Sequence, residues 1–276
     1  MRVGVFAKTF PGTEPHLVLS AVAEAGFESS QWNWACAGLP SIPENIPDNT
    51  CRQVIEASLH CHIAMPAVSG TFNMAHPDPV IRDEGLSRLK RIIETAPRVG
   101  ASLVTLCTGS RNIDDQWAWH PENSREEAWS DFVETLAGAI EAAEAIGVFL
   151  GIEPELANVV STPRHARTLI DEMQSDRIRI VFDPANLFEY ADDVKRKDVI
   201  SKSVELLADR ISLAHAKDRK LDGSFAPAGK GVIDFTHYLS ALKSAGFDGD
   251  IIAHGFDANE AVDVSKFLKS ILNKGV

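Results

Sequence analysis

The segment AIGVFLGIE (residues 145–153) contains the end of a helix, a short buried strand and a charged side chain where the strand ends. Gly147 favours helix termination because glycine adopts the left-handed backbone conformation at little cost. Residues 148–152 are apolar and too few for a helix, which is typical of a strand buried on both faces of a parallel sheet. The segment predicts a helix–strand joint of an α/β protein.

The same joint recurs along the chain. A glycine precedes a new apolar segment in EAGF (24–27), RVGA (98–101) and SAGF (244–247). Between the joints, residues 80–98 and 126–146 have the apolar periodicity of amphipathic helices. The predicted strands are VGVF (3–6), SSQWNW (29–34), LHCHIAM (59–65), ASLVTLCT (101–108), VFLGIE (148–153), RIRIVFD (177–183), ISLAHA (211–216) and DIIAHG (250–255).

Eight strand–helix units without a linker between halves match a (β/α)8 TIM barrel, so we predict one α/β barrel domain over residues 1–276. A doubly wound open sheet has similar patterning. However, no GxGxxG follows the first strand, and no phosphate loop of the Walker type is present.

Composition excludes several classes of partner. The formal net charge is −12, and Lys and Arg form no continuous stripe, so nucleic acid and anionic membranes would be repelled. The four cysteines have no CxxC or zinc-finger spacing, which predicts reduced thiols in a cytoplasmic protein. No secretory leader and no apolar run of about 18 residues are present.

Four consecutive predicted strands end in potential metal ligands: Glu153, Asp183, His215 and His254. Each alone has an ordinary structural explanation, since strand-end acids cap helices and a lone histidine usually satisfies local hydrogen bonds. In a barrel, however, the carboxyl ends of all strands meet on one rim. Mixed oxygen and imidazole ligands suit Mn, Co, Zn or Fe better than Ca.

Several motifs give the chain a resemblance to the xylose isomerase-like TIM barrels, a family of sugar isomerases and epimerases, inosose dehydratases and apurinic endonucleases. The motifs are NMAHPD (73–78), GIEPE (151–155), FDPAN (182–186), HAKD (215–218), GKGVIDF (229–235) and LKSAGFDGDII (242–252). The resemblance implies one divalent metal ion (Mn, Co, Zn, Fe or Mg) held by Glu153, Asp183 and His215, with a fourth ligand at the position of His254.

The resemblance also implies the reaction. A family enzyme moves a proton between neighbouring carbons of a small sugar, ketose or sugar phosphate, and the metal stabilises the enediolate charge. Glu153 is the predicted catalytic base. Lys217 is the predicted group that holds a substrate oxygen or stabilises an oxyanion, although pairing with a nearby acid explains it equally well.

His254 stands where related epimerases usually carry their second catalytic glutamate. A histidine bound to metal through one nitrogen is a poor base. Either His254 stays off the metal and transfers the proton itself, or Glu155, Lys217 or His62 does so, or one base suffices. The last case favours a lyase or dehydratase acting on an inosose-like polyol.

Four further residues are predicted to contact a sugar. Asn186 and Asn73 are amides suited to hydroxyl groups, and Trp34 offers a flat face, or else packs beneath the loops. His60 and His62 alternate on the predicted third strand, so both face the same way. If that face is inward, the histidine nearer the rim touches substrate.

The long segment 107–124 after the fourth strand is a predicted specificity loop. Its Arg111 is a candidate for binding a phosphate or carboxylate of the substrate. A salt bridge to Asp114 or Asp115 is the alternative.

Two other classes of protein remain as alternatives. An apurinic endonuclease needs additional His ligands, but Asn186 stands where one is expected, and the net charge opposes DNA. A barrel that binds a sugar or metal without turnover would have little reason to keep three ligands. Many members of the family pair through rim or helix surfaces, so the resemblance also allows a homo-oligomer.

Overall fold

The computed structural model describes residues 1–275, so the last residue of the predicted domain, Val276, lies outside the described residues. Eight strands form a closed parallel barrel. They are β1 (Arg2–Phe6), β2 (Ser29–Trp32), β3 (Ala64–Ser69), β4 (Leu103–Leu106), β5 (Phe149–Ile152), β6 (Ile178–Phe182), β7 (Ile211–Arg219) and, after a short β8 (Phe225–Pro227), β9 (Asp250–Ala253). Each barrel strand pairs in parallel with its neighbours, and β9 closes the ring against β1. The predicted TIM barrel is confirmed.

The eight helices surround the barrel. They are α1 (Pro15–Glu24), α2 (Asp48–Cys61), α3 (Pro79–Thr95), α4 (Glu126–Ile146), α5 (Pro163–Met173), α6 (Asp193–Leu207), α7 (Phe235–Ser244) and α8 (Ala261–Leu272). The predicted helix over 126–146 is confirmed with the same bounds. Gly147 follows it at φ 87°, in the left-handed region where a side chain would be strained.

Two apolar layers hold the barrel together. The outer layer lies between strands and helices and contains most of the buried apolar residues. The inner layer fills the barrel itself with Ala67, Leu103, Val181, Leu213 and Ile252. The barrel is therefore a packed core, with space for a ligand only at its mouth.

Gly151 lies two residues before Glu153, where the inner layer leaves no space for a side chain. A Cβ atom at residue 151 would lie 2.7 Å from Val181 Cγ2, closer than packed side chains approach. A glycine at this position lets β5 and β6 pack side by side inside the barrel.

The predicted third strand over residues 59–65 is wrong. Residues 59–61 belong to the end of α2, whose buried positions Cys51, Val54 and Ala57 follow helical spacing. His62 ends the helix in the left-handed conformation at φ 55°, and β3 begins only at Ala64. The alternation of histidine with apolar residues at a helix end resembles strand periodicity over so short a stretch.

The short strand β8 lies outside the barrel ring. It pairs antiparallel with the end of β7, where Lys217 faces Pro227 and Arg219 faces Phe225. This hairpin extends β7 beyond the rim and brings Phe225 over the barrel mouth. Among residues 1–275, no helix combines the length and the apolar character needed to cross a bilayer.

Candidate metal centre

The four predicted ligands meet at the carboxyl end of the barrel. Glu153, Asp183 and His254 directly follow β5, β6 and β9, and His215 lies in β7. One candidate ligand atom from each lies within 4.8 Å of the others. The parallel direction of the strands produces this convergence, because residues far apart in sequence leave neighbouring strands at the same end.

Asp183 lies at the centre of the cluster with a fully buried side chain. Its Oδ2 is 3.1 Å from His254 Nε2 and 3.2 Å from Lys217 Nζ, while Oδ1 accepts a hydrogen bond from the Ala185 amide. Burial alone would favour the protonated acid. The Lys217 ammonium and the His254 hydrogen bond outweigh it and hold the pKa of Asp183 well below its usual range. Asp183 is therefore a carboxylate at neutral pH.

Glu153 is fixed from two sides. Its Oε1 accepts a hydrogen bond of 2.8 Å from Asn186 Nδ2 and lies 3.4 Å from His215 Nδ1. Burial is the largest influence on Glu153 and opposes its ionisation, but the electrostatic effects of His215 and Lys217 together outweigh it and lower the pKa of Glu153. A second carboxylate thus faces the same space as Asp183.

The two histidines complete the cluster, with ring centroids 4.5 Å apart. Burial and the adjacent His215 lower the pKa of His254, which favours the neutral imidazole that binds metals. His215 Nε2 lies 2.9 Å from Gln31 Oε1. His215 Nδ1 is buried and has no hydrogen-bond partner among the described residues.

The orphaned His215 Nδ1 shows that the cluster fits a cation. A buried polar atom without a partner costs about 1–3 kcal/mol. A metal ion among the four side chains would satisfy this nitrogen and neutralise the two carboxylates together. The donor set of two carboxylates and two imidazoles suits Mn, Fe, Co or Zn.

A cavity of about 550 Å³ opens beside the cluster at the barrel mouth. Glu153, His215 and His254 form part of its wall, and the rings of Trp117 and Phe225 contribute apolar surface. Its volume lies within the range of small-molecule sites, about 300–1,000 Å³. The candidate ligands therefore face a space that a sugar-sized molecule can enter.

Lys217 lies between the cluster and the cavity. Its Nζ donates to Asn186 Oδ1 at 2.9 Å and lies 4.0 Å from the centre of the Phe225 ring. Burial disfavours its charge, but Asp183 and Glu153 raise the pKa of Lys217, so it stays an ammonium. A fixed cation therefore stands beside the ligands.

Glu155 lines the same cavity two residues after Glu153. Burial and the Glu153 carboxylate raise the pKa of Glu155 to about 7. Two carboxyl groups therefore line one cavity, and the pKa of Glu153 is lowered whereas that of Glu155 is raised.

Asn186 bridges Glu153 and Lys217 beside the cluster. Its amide nitrogen donates to Glu153 and its amide oxygen accepts from Lys217. Both ends of the amide are engaged by these two side chains, so Asn186 orients them.

Three of the predicted substrate contacts lie elsewhere. Trp34 is fully buried in a short 3₁₀ helix and packs in the core. Asn73 donates to the backbone oxygens of Ser110 and Asn112, so it holds the loop after β4 in place. His62 ends α2 just before β3 begins, at the opposite end of the barrel from the rim, so its predicted substrate contact is wrong.

Arg111 is also engaged within the protein. It pairs with Asp131 Oδ2 at 2.6 Å and donates to the Ala75 carbonyl at 3.1 Å. Neither Asp114 nor Asp115 is its partner. The guanidinium is buried against α4 rather than directed into the cavity, so the prediction that it binds a substrate anion is wrong.

Gln31 and Thr105 are among the cavity residues that were not singled out in the sequence. Gln31 and Thr105 lie in β2 and β4, are buried, and line the cavity. The available signal was a polar side chain inside an otherwise apolar strand segment, which is costly unless hydrogen-bonded.

Comparisons with known proteins agree with this fold. The chain belongs to the xylose isomerase-like TIM barrel family, whose model matches residues 19–271. It is 24% identical over 280 residues to the uncharacterized protein MJ1311 of Methanocaldococcus jannaschii, covering 99% of this chain and 89% of that protein.

Solved structures of epimerases share the fold at low identity. A D-tagatose 3-epimerase-like protein has a TM-score of 0.77 at 20% identity, with 99% of this chain and 98% of that chain covered. The 3-keto-D-glucoside 4-epimerase YcjR of E. coli has a TM-score of 0.76 at 16% identity, with 98% and 99% covered. An L-ribulose 3-epimerase has a TM-score of 0.75 at 18% identity, with 99% and 94% covered.

Proposed function

We propose that this chain is a divalent-metal-dependent isomerase or epimerase of a small sugar, ketose or sugar phosphate. The observation that carries the proposal is the Glu153, Asp183, His215, His254 cluster at the edge of a 550 Å³ cavity. The family membership and the epimerases that share the fold support the same class of substrate.

The four side chains of the cluster would hold the metal. A divalent cation there supplies Lewis acidity toward neighbouring carbonyl and hydroxyl oxygens of a substrate. Asn186 holds Glu153 at 2.8 Å, so the carboxylate that removes the proton has a fixed orientation. Lys217, fixed by Asp183 and Asn186, donates to a substrate oxygen on which negative charge develops.

This site differs from that of a two-glutamate epimerase in the identity of the second acid/base group. His254 contacts Asp183 at 3.1 Å, inside the cluster. Glu155 lines the cavity outside the cluster and has the raised pKa of about 7 that suits proton transfer near neutral pH. Glu155 is therefore the better placed of the two to return the proton.

A lyase that removes water from an inosose-like polyol is the second candidate function. The position of His254 favours it, because a histidine held among the ligands leaves Glu153 as the single base on the cluster. One base suffices for a β-elimination.

A substrate panel in D₂O separates these functions. The purified chain is stripped with chelator, reloaded with Mn²⁺, Co²⁺ or Zn²⁺, and incubated with ketoses, their phosphates and inososes. Deuterium incorporation with a rearranged sugar supports the isomerase or epimerase, and loss of water supports the lyase. Binding without turnover across the panel supports a barrel that only binds sugar or metal.

A pair of variants links the activity to the cluster. We expect Asp183→Asn to abolish both metal binding and turnover. Asp250→Asn is the matched control, because Asp250 is also buried but pairs with Arg2 at the other end of the barrel. Metal-independent turnover, or equal losses in the two variants, would contradict the proposal.

A further inference from the structure

The side chain of Gln31 reaches across the barrel to His215. Gln31 lies in β2, which pairs with β1 and β3, whereas His215 lies in β7, which pairs with β6 and β9. The two residues are 184 positions apart in sequence, yet Gln31 Oε1 lies 2.9 Å from His215 Nε2, and both side chains are buried.

Thr105 contacts the other end of the Gln31 amide. Gln31 Nε2 donates to Thr105 Oγ1 at 3.1 Å, and the amide oxygen faces His215. An amide oxygen can only accept a hydrogen bond. His215 Nε2 must therefore carry the proton, and in the neutral ring Nδ1 then carries the lone pair.

The other ring nitrogen of His215 faces Glu153. His215 Nδ1 lies 3.4 Å from Glu153 Oε1 and has no hydrogen-bond partner among residues 1–275. A nitrogen lone pair facing a carboxylate oxygen is unfavourable unless a cation lies between them. His215 itself belongs to the one ligand cluster found in the described part of the chain.

We propose that Gln31 is a positioning residue: held by Thr105, it fixes the Nε2-protonated tautomer of His215 and so presents Nδ1 to the metal. This inference rests on the proposed metal site and adds to it a hydrogen-bonded chain from β4 through β2 to β7. Partners that hold the second nitrogen of a ligating histidine fix the orientation of the ring and raise its basicity.

Metal affinity measured by calorimetry on the full chain tests the proposal. We expect Gln31→Met, which has similar length but no acceptor oxygen, to weaken Zn²⁺ or Mn²⁺ binding by about 10- to 100-fold. Gln31→Glu retains an acceptor and should bind at least as tightly as the wild type. Gln116→Met is the matched control, because Gln116 lines the same cavity without contacting the ligands, and should be unchanged.

A second readout needs no metal. In the chelated protein, imidazole ¹⁵N shifts should show His215 protonated on Nε2, with the signal assigned by its loss in His215→Gln. Gln31→Met and Thr105→Val should each produce a mixture of tautomers, and Gln31→Glu should not.

The two readouts separate the two proposals. Unchanged affinity in Gln31→Met, or an Nδ1-protonated His215 in the wild type, would overturn the role of Gln31. A wild type that binds no divalent ion while keeping the Nε2 tautomer would overturn the metal-dependent function and leave the tautomer assignment to Gln31 supported.

Discussion

His254 Nε2 lies 3.1 Å from Asp183 Oδ2, although 71 residues separate them in the chain. The contact places the last histidine of the barrel among the carboxylates rather than on the outer surface. It also gives Asp183 two cationic or hydrogen-bonding neighbours, His254 and Lys217, on one oxygen. The role of His254 is therefore the first question to ask of this site.

We expect His254→Gln to weaken the affinity for a divalent metal by about tenfold or more. Loss of a hydrogen bond that supports a ligand already lowers metal affinity by about 10- to 100-fold, and loss of the ligand itself should lower it at least as much. His60→Gln should leave affinity unchanged, since His60 lies in α2 and its ring contacts that of His16. Calorimetric titration of both variants tests this. Equal effects in the two variants would exclude His254 from the ligand set.

We expect His254→Glu to change which metal binds best. The variant has three carboxylates and one imidazole, and added oxygen donors favour harder ions such as Mn²⁺ and Mg²⁺ over Zn²⁺. Competition between Mn²⁺ and Zn²⁺, followed by elemental analysis, measures the change. An unaltered Mn²⁺ to Zn²⁺ ratio would show that residue 254 does not reach the metal.

Arg111→Met should reduce stability without a selective effect on phosphorylated substrates. The substitution removes the buried pair with Asp131 and leaves the Ala75 carbonyl without its donor, at a cost of about 1–3 kcal/mol. Urea denaturation measures the loss, with the exposed pair of Arg91 and Glu94 as the control through Arg91→Met. A KM increase confined to sugar phosphates, at unchanged stability, would return Arg111 to the substrate site.

Thiol labelling of the native protein should modify one cysteine, Cys61, the only one of the four that is not buried. Burial raises the pKa of Cys36 to about 11 and that of Cys107 well above its usual value. A raised pKa leaves less thiolate at a given pH, so these thiols stay unreactive even at pH 9. Peptide mapping after alkylation identifies the labelled residue, and fast labelling of Cys36 or Cys107 at neutral pH would contradict the buried placement.

The barrel and the convergence of the four strand-end side chains were predictable because they depend on local patterns and one topological rule. Apolar segments after helix-ending glycines mark parallel strands, and the rule that parallel strands end on one rim brings Glu153 and His254 together. His62 was misplaced because the last turn of α2 carries a histidine and apolar alternation that also fits a strand.

The supporting contacts were not predictable in the same way. The partners of Arg111 and Asn73 are set by how the loop after β4 folds back on its neighbours, and no periodic pattern specifies that. Gln31 was missed because its partner His215 lies across the barrel, and a hydrogen bond between strands that are not adjacent leaves no spacing in the sequence.

The two halves of the chain contribute different parts of the candidate site. All four members of the metal cluster come from β5 onward, whereas Phe6, Lys8, Thr71 and Trp117 of the first half form cavity wall without joining the cluster. Substitutions in the first half can therefore change which molecule enters while the reactive apparatus stays intact. Gln31 is the exception, since its contact with His215 links the first half of the chain directly to the cluster.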